Sequence, residues 1–79
     1  MMSVIIKTID QKLLHSIIYK NTDKFISLEN KLSEIKKFET FFDSGIYFMA
    51  NGKKVNRYKS LRENNIKDND IILLNNIIE

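Results

Sequence analysis

Seventy-nine residues, 43% of them hydrophobic, suffice for one domain and leave no room for a second. The chain has no cysteine, which excludes disulfides, thiolate metal sites and cysteine nucleophiles. A net charge of +3 spread along the chain is weak ground for a nucleic-acid partner.

A chain this short buries only about 60% of the surface its unfolded form exposes, so stability must come from apolar burial. Its apolar blocks, such as Val4-Ile5-Ile6 and Ile71-Ile72-Leu73-Leu74, are far shorter than the roughly 18 residues a membrane span needs. Met1 to Lys7 carries no basic leader and is not expected to be a secretory signal. The expectation is an intracellular protein, in the cytoplasm or nucleus. Heavy use of isoleucine, asparagine and lysine matches AT-rich coding and discounts the basic balance further.

Taken in chain order, residues 3–9 read as a buried strand, because Val4, Ile5, Ile6 and Ile9 are β-branched. Asp10-Gln11-Lys12 is a polar break of hairpin length, without the Asn-Gly signal. Residues 13–20 return as a second strand whose imperfect alternation predicts a bulge or burial on both faces. Thr22 is the expected helix N-cap, with Asp23 complementing the positive helix end. Phe25, Leu28, Leu32 and Ile35 then share one helical face, and Lys36 and Lys37 suit the helix C-terminus.

Phe38 to Phe42 either extends that helix or folds over the core. Asp43-Ser44-Gly45 breaks the chain, and Ile46 to Ala50 reads as a third strand closed by Asn51-Gly52, the strongest turn signal present. Leu61 and Ile66 are lone apolar anchors in a polar stretch. Ile71 to Leu74 is the last clear strand, with Ile77 and Ile78 as a possible extension. One helix on one mixed sheet would bury all these faces.

Ile5-Ile6-Lys7-Thr8-Ile9 resembles the first strand of the ubiquitin-like family, with its apolar-Val-Lys-Thr-Leu pattern. Phe48-Met49-Ala50-Asn51-Gly52-Lys53-Lys54-Val55 is similar to the family's strand-turn-strand containing Ala-Gly-Lys. Ser60-Leu61, Asn65-Ile66 and Ile72-Leu73-Leu74 match later steps in the same order, so the resemblance covers nearly the whole chain. It implies an α+β, ubiquitin-like β-grasp fold: a mixed four- to five-stranded sheet packed on one main helix, with residues 1–79 as a single domain.

The family's main recognition surface is a small apolar patch on the sheet. Read across one position at a time, the resemblance puts Ile9, Met49, Leu73 and Asn75 there. Equally, these are merely sheet residues, some of them buried. Lys7, Lys12, Lys31 and Lys53 match lysines that carry chains in conjugated members, yet lysine is so abundant here that solvation accounts for them. Conjugated members end in a diglycine, because only glycine lets the tail thread flat into its enzymes. Here Gly45 and Gly52 both sit in turns, and the sequence reads Asn75-Asn76-Ile77-Ile78-Glu79 at its end.

The resulting expectation is a non-conjugated ubiquitin-like protein-interaction module, either an adaptor or a permanent subunit of a larger assembly. It would bind a protein partner through Ile9, Met49, Leu73 and Asn75, through the neighbouring Lys53 and Lys54, or both. Two alternatives stay open: a covalent modifier whose tail lies beyond this sequence, and a basic nucleic-acid-binding domain using Lys53, Lys54, Arg57, Lys59 and Arg62 around Tyr58. No enzyme chemistry, cofactor or metal is expected. His15 has no partner beyond Ser16, there is no Gly-rich phosphate loop, and Asp68-Asn69-Asp70 lacks the glycine and glutamate of a calcium loop.

Overall fold

A computed structural model describes residues 2–43 and 45–76. The chain opens with β1 (Met2–Thr8) and β2 (Leu14–Tyr19), paired antiparallel in unbroken register from Met2↔Tyr19 to Lys7↔Leu14. No bulge interrupts the pair. The apolar residues that blur the alternation of β2 divide between faces: Ile17 and Tyr19 are buried, whereas Leu14 and Ile18 stand out in solvent.

The first turn lacks Asn-Gly and is held by side chains instead. The buried Thr8 hydroxyl donates to Asp10 Oδ1 at 2.6 Å and accepts from the Leu13 N–H at 3.1 Å. That bond, with a second from the Lys12 N–H, holds the Asp10 carboxyl below its ordinary value. Gln11 takes the positive-φ position that glycine usually fills (φ 63°).

Helix α1 (Phe25–Ser33) begins after Lys24, not at Thr22, and no side chain caps it. Its first free amides go to a distant loop: Phe25 N–H donates to the Lys59 carbonyl and Ile26 N–H to the Arg57 carbonyl, both at 2.9 Å. Asp23 accepts from the Lys20 N–H in the preceding turn. Phe25, Leu28 and Leu32 are buried, with Ile35 partly so. The helix ends before Lys36 and Lys37, which open a 3-10 turn (Lys36–Phe38) leading into the short α2 (Glu39–Asp43). Lys37 Nζ donates to the Leu14 carbonyl on β2 at 2.8 Å rather than capping a helix. Phe38 is buried, while Phe41 and Phe42 pack partly buried against the core.

β3 (Ile46–Ala50) and β4 (Lys53–Lys54) form a hairpin around Asn51 and Gly52, both at positive φ (53° and 77°), as a mirror-image two-residue turn demands. The polar stretch that follows has a capping-box pair, Ser60 N–H to Glu63 Oε1 and Glu63 N–H to Ser60 Oγ, both at 3.0 Å. It buries Leu61 and Ile66 as anchors. Asp68 and Asp70 serve the backbone: Asp68 Oδ1 accepts from Ser3 N–H, and Asp70 Oδ2 from Lys67 N–H. β5 (Ile71–Asn76) then completes a five-stranded mixed sheet of order β2-β1-β5-β3-β4, parallel only between β1 and β5. The chain is thus α+β; the expected continuation of the last strand through Ile77 and Ile78 lies outside the described residues.

The core lies between α1 and the inner sheet face, where Val4, Ile6, Ile17, Phe48, Ile72 and Leu74 meet Phe25, Leu28 and Leu32. The Phe25 and Phe48 rings meet edge to face at 4.9 Å. No helix among the described residues is long and apolar enough to cross a membrane.

Two stability changes follow from this packing. Leu28→Ala or Leu32→Ala should cost about 2–5 kcal/mol in urea unfolding, comparable to the whole stability of a small domain. Tyr19 is buried with a hydroxyl that finds no hydrogen-bond partner among the described residues. Burial, reinforced by Asp70 and Asp68, pushes its phenol up to about 12. Tyr19→Phe removes an unpaired polar atom, so it should leave stability unchanged or raise it by about 1 kcal/mol. A loss above about 1 kcal/mol in the same assay would mean that the hydroxyl is bonded.

Candidate functional site

Because strand side chains alternate, the sheet has an outer face that α1 does not cover. On it, register brings together residues far apart in sequence: Met49 on β3 pairs with Leu73 on β5, and Tyr47 with Asn75. The Ile9 N–H bonds to the Leu74 carbonyl, which carries Ile9 beside the same strands. Ile9, Met49, Leu73 and Asn75 accordingly line one open concavity of about 300 Å³, together with Tyr47 and Ile71. Asn51 and Gly52 of the hairpin turn complete the lining.

These residues are not equally available. Ile9 is 62% exposed and Leu73 36%, whereas Asn75 is only 4% exposed. Asn75 therefore lies in the floor of the concavity, in register with Tyr47 on β3. Met49 is half-buried, as an unbranched side chain in a shallow depression can be.

The two lysines separate. Lys54 is opposite Met49 at the rim of the outer face, its Nζ 5.5 Å from the centre of the Tyr47 ring. Lys53 is opposite Ala50, whose side chain belongs to the core. Neither lysine lines the concavity. Tyr47 and Ile71 were not singled out from sequence; the Tyr47/Met49 spacing of two on a strand was the available signal.

A second, larger groove of about 680 Å³ runs between α1, α2 and the β3–β4 side, with Glu29, Arg57 and Tyr58 among its lining. Arg57 Nη2 is 3.4 Å from Glu29 Oε1, an ion pair in which that oxygen accepts no hydrogen bond. Burial pushes the Glu29 carboxyl up, and Arg57 only partly offsets this. Arg57 is thus engaged within the chain, so one of the two cations beside the exposed Tyr58 in sequence is not free. His15 lies elsewhere, its ring edge-on to Phe38 at 6.1 Å. The described residues include no group of acidic and histidine side chains that could hold a metal ion. No protein-family model and no curated protein matches the chain.

Glu29 makes stability pH-dependent in a definite sense. Its folded carboxyl holds its proton to higher pH than the unfolded one, so ionisation costs the folded state. Its contribution is greatest below the ordinary glutamate range and is lost as pH rises through the raised folded value. Glu29→Gln should abolish that fall, measured as a flatter profile of urea stability against pH than the parent. Parallel profiles would show that Arg57 compensates the burial fully.

Proposed function

We propose that this chain is a ubiquitin-like β-grasp domain that works inside the cell as a non-covalent protein-interaction module, without catalysis of its own. The supporting architecture is a central parallel pair of first and last strands, flanked by antiparallel partners and crossed on one face by α1. The observation that carries the functional reading is the convergence of Ile9, Met49 and Leu73 in one solvent-facing concavity. Their outward apolar side chains add little to the core, and exposed apolar clusters on small domains usually mark interaction sites. A thioether in such a depression adapts to the partner surface it meets.

The test separates apolar from electrostatic docking. The tagged chain is recovered with its partners from its own cells, and the affinity of each recovered partner is then measured. Met49→Glu should leave the circular dichroism spectrum and melting intact and weaken binding about ten-fold or more, about 1–2 kcal/mol. Lys53→Glu with Lys54→Glu should change affinity far less. If the double lysine variant alone releases the partner, and raised salt does the same, the interface is electrostatic and the Met49 reading fails.

A further inference from the structure

The apolar character of the outer sheet face does not stop at the concavity. Leu14 and Ile18 on β2 are 55% and 61% exposed, Ile71 on β5 is 52% exposed, and Ile5 lies between them in register with Ser16 and Ile71. A largely apolar surface, interrupted by Ser3 and Ser16, therefore runs across the sheet from its β2 edge to β3. At its centre is Lys7. Register puts Leu14 on one side of it and Leu73 on the other, and Ile5 and Ile9 precede and follow it on the same face. The outward positions of the five strands hold no aspartate or glutamate; their only ionisable side chains besides Tyr47 are Lys7 and Lys54.

A central lysine with leucine and isoleucine as its nearest outward neighbours decides what can cover this face. An apolar surface laid over it would strand the Lys7 charge, and an unpaired buried charge costs more than the surrounding contacts return. A second copy of the same face brings no carboxylate and fails for that reason. A lipid surface prefers apolar residues at the centre and cations around the rim, where they reach the headgroups, which is the reverse of this arrangement. Resting on the binding role proposed above, we infer that the whole outer face, centred on Lys7, is the interface for a protein partner that presents an apolar surface bearing a carboxylate opposite Lys7. The partner contact is thus broader than the Ile9/Met49/Leu73 concavity and has one specifying ion pair at its middle.

The experiment uses the complex isolated from the protein's own cells and a water-soluble carbodiimide, which joins an amine to a carboxylate only when the two touch. Peptide mass spectrometry should find Lys7 joined through an amide to an aspartate or glutamate of the partner. Lys7→Arg should keep the complex and lose that link, while Lys7→Glu, Leu14→Asp and Ile71→Asp should each lower partner recovery at least ten-fold with melting unchanged. Should Leu14→Asp or Ile71→Asp unfold the chain, Lys7→Glu together with the Lys7 cross-link decides the matter. Undiminished recovery with Lys7→Glu, or coupling only through other lysines, overturns the inference. If Met49→Glu releases the partner but the Lys7, Leu14 and Ile71 variants do not, the narrower binding role stands and this inference fails. If no outer-face variant releases it, or no partner is recovered, both fail. Loss of co-sedimentation with phosphatidylserine–phosphatidylcholine vesicles in Lys7→Glu, with protein partners unaffected, would replace the protein by a membrane and overturn it too.

Discussion

The parallel pairing of β1 with β5 organises everything else in this chain, because it joins the first strand to the last through Ile5↔Ile71, Ile6↔Ile72, Lys7↔Leu73 and Thr8↔Leu74. Parallel neighbours cannot be linked by a tight turn, so the intervening chain must cross over a sheet face. Here it does so with α1, whose Phe25, Leu28 and Leu32 then cover Ile6, Ile72 and Leu74. The junction is secured just before β5 by reciprocal bonds, Asn69 N–H to the Ser3 carbonyl at 2.7 Å and Ser3 N–H to Asp68 at 2.8 Å. Such a pairing closes a long loop and carries the corresponding loop-closure entropy cost.

Once that pair is in place, the sheet has two faces with different physical roles. The inner face holds the core and most of the stability. The outer face needs only soluble residues for folding, and yet isoleucine, leucine and methionine recur there. A small domain has little stability to spare, and exposed apolar surface does not add to it. That contrast is the ground for the binding role proposed for the outer face, whose composition is not accounted for by what it holds up.

Two local readings failed because non-local groups outcompeted the nearby ones. Thr22 and Asp23 have the right chemistry for a helix start, but the Lys59 and Arg57 carbonyls arrive from the far loop and take the first amides. Lys36 and Lys37 look like helix-end cations, but Lys37 finds the Leu14 carbonyl on the sheet edge. The irregular pattern of β2 came from exposed isoleucine and leucine rather than from a bulge, since a hydrophobicity pattern cannot tell a buried apolar residue from one left facing outward.

The sequence by itself determined the strand at Ile46–Ala50 and its Asn51-Gly52 turn, the Phe25/Leu28/Leu32 face, and the Leu61 and Ile66 anchors. Those depend on spacing and backbone preference within a few residues, which a linear pattern records. Only the tertiary structure decided which of Ile5, Ile9, Leu14, Ile18, Ile71 and Leu73 face outward, and that Lys7 stands among them. Face assignment in a sheet is a matter of register between strands, and a shift of one residue would exchange the two faces. That register is set by long-range pairing and by the helix that chooses one side.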